Sequence, residues 1–268
     1  MFKYYSKKEN KLIQKFEKDG FLIFDIAKNK KKISKIKELT NKEILKILKK
    51  KKILVKKKDK SDLFNRIHLY IKSSELNQFR LLIYSNLNKQ KNFLQNYFES
   101  AKEELEILCG NELAMQRKVN LSVQMPNDDS SLLPVHSDVW SGCSPFEVVL
   151  WIPLVDCSKT KSMYILPKRE NEKFYQKFYK YKNSNDLYFG IKKKVKWLDI
   201  KYGQGIIFTH QLMHGNLVNK SNETRWSFNC RFKSLMSPYD KKDIAETFLP
   251  ISIRSATKFG INYEEPKT

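Results

Sequence analysis

His136 and Asp138 stand one residue apart, His214 follows later, and Arg225 comes eleven residues after His214. The chain has only four histidines, so this pattern takes up half of them. Two neutral imidazoles and one carboxylate fill half of an octahedral coordination sphere and leave the other half open. That donor set suits non-haem Fe(II) in O₂ chemistry. In extended backbone His136 and Asp138 would leave the same face on either side of Ser137 and converge on one ion. Arg225 and Ser227, also two residues apart, would offer a carboxylate a planar guanidinium fork and a hydroxyl.

His210 competes with His214 for the third ligand position. The eleven-residue step to Arg225 and the His214-Gly215-Asn216 turn favour His214, leaving His210 to face the substrate or support the ligands from behind. His68 sits in a helical stretch without partners and reads as structural. Gln124 and Asn120 lie on the strand before the His136-Ser137-Asp138 segment and are weaker substrate candidates, together with Trp140. Trp151 reads as core, and Asp128 and Asp129 sit in a loop able to meet a polar substrate.

These groups need a rigid frame. Up to Gly110 the pattern is mostly helical. Leu12, Ile13 and Phe16 share one face of a helix over 8–18 that Gly20 would stop, and Phe21 to Phe24 reads as a buried strand. Ile33, Ile36, Leu39, Ile44, Leu45 and Leu48 mark a helical face over 31–49, which Thr40 and Asn41 would interrupt. Helical spacing returns over 61–74 and 76–108. Beyond Gly110 the period changes to two over 119–125, and short strands follow at 146–155, 163–166, 197–200, 206–209 and 226–232, with a helical insertion over 170–183. Many short strands separated by turns make a sandwich or barrel. The expected class is mainly β with helices (α+β). A single domain over 1–268 would comprise a mostly helical part (1–110), a β core (111–235) and a C-terminal extension (236–268).

Composition narrows the function classes. The net charge of +23 invites a nucleic-acid or membrane-surface reading. Lys, Asn, Ile, Phe and Tyr are all abundant while Gly and Pro number eight each, so AT-rich coding accounts for much of the lysine. Lysine runs at 30–32, 49–52 and 56–58 read as solvated faces. The four cysteines form no CxxC pair, which speaks against a structural zinc site and for reduced thiols. The charged N-terminus MFKYYSKKEN has no apolar stretch of the signal-peptide kind, and no apolar run is long enough to span a bilayer. A cytoplasmic protein with a small-molecule substrate, and neither a nucleic-acid partner nor a membrane span, is expected.

Pro134 to Trp140, then Trp151-Ile152-Pro153-Leu154, His214-Gly215-Asn216 and Arg225-Trp226-Ser227 resemble the Fe(II)/2-oxoglutarate-dependent oxygenase superfamily. The nearest branch is the phytanoyl-CoA hydroxylase-like one, and within it the bacterial oxygenases of sporadic carbohydrate clusters. The resemblance runs from about 112 to 235. It implies a double-stranded β-helix (jelly-roll, cupin-like) core with the N-terminal helices packed outside. It also implies Fe(II) on His136, Asp138 and His214, with the distal carboxylate of 2-oxoglutarate on Arg225 and Ser227. The implied reaction is a dioxygenase oxidation that consumes O₂ and 2-oxoglutarate and hydroxylates a small molecule, with a sugar or sugar-linked intermediate as the candidate class. A carboxylate at Asp138 favours hydroxylation over halogenation, which needs a small residue there. A Jumonji-type protein hydroxylase is the enzymatic alternative, but it commonly anchors the cosubstrate through lysine on another strand. A basic, non-catalytic anion-binding module is the other.

Overall fold

The computed structural model describes residues 5–26, 29–238 and 246–265. The first four residues of the charged N-terminal stretch, and residues 239–245 and 266–268 of the C-terminal portion, lie outside these. Ser6 opens helix α1 (Lys7–Asp19) through a reciprocal capping box with Glu9, and Gly20 closes it in the left-handed region. Strand β1 (Phe21–Asp25) follows at once. Helix α2 (Lys30–Lys50) is unbroken where Thr40 and Asn41 suggested a stop. The Thr40 hydroxyl donates to the Ile36 carbonyl at 2.8 Å inside the helix, so its polar group is satisfied without ending it. Leu45, assigned to the buried face by its spacing, is largely exposed, and Glu43 turns inward instead, accepting from Asn86.

The helical stretches beyond are more broken than their spacing suggested. Over 61–74, α3 (Leu63–Arg66) and a short 3₁₀ turn form before the next helix begins at Ser73. The span 76–108 splits into α4 (Ser73–Asn88), α5 (Lys91–Glu99) and α6 (Lys102–Cys109). The strands are β2 (Leu113–Gln116), β3 (Asn120–Gln124), β4 (Val148–Pro153) and β5 (Tyr164–Ile165), then, after α7 (Lys168–Tyr175) and α8 (Ser184–Ile191), β6 (Lys196–Trp197), β7 (Gln204–Thr209), β8 (His214–Gly215), β9 (Arg225–Ser234) and β10 (Phe248–Ser252). A final helix, α9 (Ser255–Ile261), follows.

Among the described residues every strand pairing is antiparallel. The larger sheet runs β1-β7-β4-β9-β2-β10, with β3 continuing along β9, and the smaller runs β6-β5-β8. The C-terminal extension therefore contributes β10 to the main sheet, against β2. Among the described residues no helix is long and apolar enough to cross a membrane. No cysteine is in a disulfide.

β9 organises the two sides of the large sheet. Trp226, Phe228 and Phe232 alternate toward the helices. Trp226 meets Phe64 and Phe79 edge-on at 5.3 and 6.1 Å, and Phe228 meets Phe93 and Tyr97 at 5.1 and 6.4 Å. The intervening Arg225, Ser227, Asn229 and Arg231 face the other way. The indole N–H of Trp226 donates to the Phe64 carbonyl at 2.9 Å, which satisfies its one polar atom in a fully buried place. Trp226→Ala is expected to destabilise the protein by about 3–5 kcal/mol through cavity formation, read as a lower urea midpoint at unchanged slope.

Candidate metal centre

The site begins with a backbone pairing. His136 N–H donates to the His214 carbonyl at 3.0 Å and His214 N–H returns the bond to His136 at 2.9 Å. This bridge extends the small sheet by one strand and sets the two imidazoles side by side, with ring centroids 4.3 Å apart. His214 lies in β8, not in the turn that Gly215 and Asn216 suggested. Gly215 is needed there, because a Cβ would stand 2.9 Å from the Leu133 carbonyl oxygen and 2.6 Å from Tyr164 Oη.

Extended backbone at Ser137 (φ −124°, ψ 136°) sends His136 and Asp138 to one face and the Ser137 hydroxyl to the other, where it donates to the His210 carbonyl at 2.8 Å. His136, Asp138 and His214 each bring a donor atom to within 4.8 Å of the others. Asp138 Oδ2 is 3.9 Å from His214 Nε2.

The ring nitrogens are already sorted. His136 Nδ1 lies 2.8 Å from the Pro134 carbonyl and His214 Nδ1 lies 2.8 Å from the Leu212 carbonyl. A carbonyl only accepts, so each Nδ1 carries the proton and each Nε2 keeps its lone pair. That is the tautomer a metal needs. Phe208 stands edge-on to His214 at 5.0 Å and fixes the ring from one side.

Asp138 is buried, which alone would raise its pKa, but His214, Arg231 and His210 bring it down to about 2. Arg231 Nη2 donates to Asp138 Oδ1 at 2.8 Å, tying the large sheet to the end of the His136–Asp138 segment. That contact leaves Oδ2 as the oxygen turned toward His214. Burial, and then the nearby His136, hold His214 at about 4.

His210, weighed against His214 for the third ligand position, is fully buried. Its Nε2 is 4.0 Å from Asp138 Oδ2 and its Nδ1 is 3.2 Å from Glu147, which Lys233 also approaches at 3.8 Å. Cys143, Glu147 and His210 also gather donor atoms within 4.8 Å, but the Lys233 ammonium already supplies positive charge beside Glu147. We read this group as an ion-paired support behind the first one.

Arg225 and Ser227 lie deeper along β9, 3% and 0% exposed. Arg225 donates to the Ser122 hydroxyl at 2.9 Å and to the Ser162 carbonyl at 3.4 Å. Its Nε, the hydroxyls of Ser227 and Ser162, and Gln124 Oε1 have no hydrogen-bond partner among the described residues. Buried polar atoms left this way are costly unless something is meant to meet them. Gln124 pairs across the strands with Arg225 and spends its amide N–H on the Leu217 carbonyl, so it belongs to this deep end. Asn120 pairs with Asn229. Trp140 packs against Phe178 and Tyr175 at 4.9 and 6.2 Å. Asp128 is buried and accepts from Ser130, and the imidazole of His68 contacts the Thr224 hydroxyl at 2.9 Å. Ser122, Ser162 and the Arg231–Asp138 tie were not singled out from sequence. Alternation along β9 could have marked Arg231, but nothing in the sequence sets its register against Asp138.

No family model matches this chain, and no curated protein does. Solved structures do. The chain is similar to the epimerase SnoN in complex with Fe3+, alpha ketoglutarate and nogalamycin RO, at 10% identity and a TM-score of 0.54, over 89% of this chain and 91% of that one. It is also similar to the non-heme alpha ketoglutarate dependent carbocyclase SnoK from nogalamycin biosynthesis, at 13% identity and a TM-score of 0.50, over 86% and 85%. HygX from Streptomyces hygroscopicus matches at 10% identity and a TM-score of 0.51, over 87% of each. At such identities the likeness speaks for the fold. This is a double-stranded β-helix of the jelly-roll, cupin-like kind, within an α+β chain.

The protonation of the site has a consequence for stability. His214 binds a proton at an ordinary 6.5 when unfolded but only near about 4 when folded. The unfolded chain is therefore protonated first, and stability falls as pH drops through that window, by about 3 kcal/mol at its acid end. Asp138, held at about 2 against 3.8, adds a further loss below that. Urea midpoints of the metal-free protein should fall between pH 7 and 4.5, and His214→Gln should remove most of the change. An equally steep dependence in the variant would refute the assignment.

Proposed function

We propose that this protein is an Fe(II)- and 2-oxoglutarate-dependent oxygenase acting on a small molecule. The observation that carries the reading is a pair of complementary features on one side of the large sheet, linked by the contact of Arg231 with Asp138. One is a His136–Asp138–His214 donor group with both Nε2 lone pairs free. The other is the buried Arg225–Ser227 cradle with unpartnered polar atoms. The donor set fits iron: two imidazoles and one carboxylate oxygen, with the remaining sites open.

In this reading His136 Nε2, His214 Nε2 and Asp138 Oδ2 hold the metal. Arg231 keeps Asp138 Oδ1 occupied, so the carboxylate presents one oxygen. Arg225 grips the far carboxylate of 2-oxoglutarate, and Ser227 adds a hydroxyl donor. His210 and Glu147 hold the Asp138 side from behind. With iron and 2-oxoglutarate bound, the site would couple O₂ reduction and loss of CO₂ from the keto acid, which leaves as succinate, to oxidation of a substrate C–H bond.

Finer assignments follow the resemblance: a 2-oxoglutarate-dependent dioxygenase of the phytanoyl-CoA hydroxylase-like branch, hydroxylating a sugar or sugar-linked intermediate. The structural neighbours named as an epimerase and a carbocyclase make epimerisation and ring closure the competing outcomes of the same C–H oxidation. A Jumonji-type protein hydroxylase is disfavoured by the buried arginine at the cosubstrate end. A basic nucleic-acid module is disfavoured because the lysines are spread along exposed helix surfaces.

The test is an anaerobic titration with Fe(II) and then 2-oxoglutarate. One metal per chain and a visible charge-transfer absorption are expected only when both are present. His136→Ala, Asp138→Ala and His214→Ala should abolish stoichiometric metal binding, while His210→Ala costs about 10–100-fold in affinity. Retained metal in His214→Ala, with loss in His210→Ala, would exchange the two histidines.

Arg225→Lys should weaken 2-oxoglutarate by roughly 30-fold or more while sparing metal affinity, because the charge remains but the fork is lost. Arg225→Ala should be worse and Ser227→Ala milder. Paired metal and cosubstrate isotherms decide it. Unchanged cosubstrate affinity in Arg225→Ala would move the carboxylate elsewhere, with Arg231 the next candidate.

A further inference from the structure

The segment that carries His136 and Asp138 reaches the surface. Leu133 and Trp140, at its two ends, are exposed, and His136 between them is half-buried. The helical insertion after β5 is fastened beside it. Asn171 of α7 donates to the Gln211 carbonyl at 3.1 Å and accepts from the Met213 N–H at 2.8 Å. The Tyr175 hydroxyl donates to the same Gln211 carbonyl at 3.0 Å. Val135 and Met213, each next to a metal-ligand histidine, share a small hydrophobic cluster with Leu187 and Ile191 of α8. The insertion therefore has a dry interior of its own, shared with the ligand segments.

Several of its large rings stay outside that interior. Phe178 packs on Trp140, and both are exposed. Tyr179 and Phe189 are 81% and 64% exposed. Residues 177–194 also hold six exposed lysines against one aspartate, Asp186, which is engaged with Asn183 at the start of α8. AT-rich coding raises the number of lysines and phenylalanines along the whole chain, but it does not decide which rings remain in water. The phenylalanines of β1, α4, α5 and β9 are buried. Those at 178 and 189 stand in solvent among cations.

Large apolar rings clustered with lysines mark a surface made for a partner that is apolar and anionic together. An anionic phospholipid bilayer meets both demands: its headgroups attract lysine, and its acyl boundary takes up aromatic rings. Single-stranded nucleic acid is anionic too, but its bases need free ring faces to stack on. Here the faces are covered. Trp140, Tyr175 and Phe178 pack on one another, and Lys180 and Lys192 lie over Tyr179 and Phe189 at 5.9 and 4.5 Å. Leu133 adds an aliphatic side chain with no face to offer. We infer that Trp140 and residues 177–194 form a surface that docks on an anionic phospholipid bilayer, with the 133–140 segment turned toward it. This is contact from one side and not a span. It holds whichever reaction the metal centre performs.

Vesicle co-sedimentation of the full chain tests the surface, with phosphatidylcholine alone and with phosphatidylcholine plus phosphatidylserine. Binding is expected only with phosphatidylserine, and it should weaken as salt is raised. Lys192→Gln, Lys193→Gln and Lys194→Gln together should cost about a hundredfold, at about fivefold per lysine. The same three changes at Lys56, Lys57 and Lys58, also exposed, should stay within about twofold of the parent. Tyr179→Ser with Phe189→Ser should cost about tenfold or more at unchanged charge. Unchanged thermal midpoints report that the variants fold. Acyl-brominated lipid should quench tryptophan fluorescence, and Trp140→Phe should remove that quenching, because Trp151 and Trp226 are buried. Equal losses from the two lysine triplets would reduce the binding to net charge and overturn the surface. So would binding without Trp140 quenching, no preference for phosphatidylserine, or aromatic variants that lose oligo(dT) but keep vesicles.

Discussion

Two backbone hydrogen bonds between His136 and His214 hold the site together. They join segments far apart in sequence, and they place two imidazoles in contact before any ligand arrives. Burial, and then the neighbouring His136, lower His214 to about 4 and keep its ring neutral. The carbonyls of Pro134 and Leu212 then settle which nitrogen carries each proton. The local chain therefore arranges geometry, charge state and tautomer together. The remaining parts, Asp138 and its arginine, are positioned relative to that bridge.

Around the bridge, charge is balanced in layers. Asp138 is countered by Arg231, and Glu147 lies between His210 and Lys233. Such burial is expensive unless the partners are well placed, and removing one member exposes the cost of the other. The aromatic face of β9 bears on the helices and holds the large sheet steady while its opposite face carries polar groups. One strand thus joins an apolar face to a polar one, and its strict alternation makes both possible.

Much of this was legible in the residues. The apolar run of β4, the period-two stretch of β3 and the capped first helix announce themselves through spacing and end signals. The donor pattern is visible because extended backbone puts every second side chain on one face. What stayed hidden depends on contacts between distant elements. Two residues in β8 are too few to display a period, so His214 read as a turn. β10 contains Pro250 and lacks alternation, and only its neighbour β2 makes it a strand. Thr40 looked like a helix stop because the sequence does not show that its hydroxyl would bond back to Ile36. Arg231 shares the face of Arg225, yet its reach to Asp138 is set by the distance between two sheets.

The burial gradient along β9 also divides one face between two dielectric surroundings. Water is shut out at Arg225 and Ser227, while Asn229 and Arg231 stay half open to it. A charge at the Arg225 end is therefore screened less than one at the Arg231 end, so a single extended segment carries weak and strong screening a few residues apart.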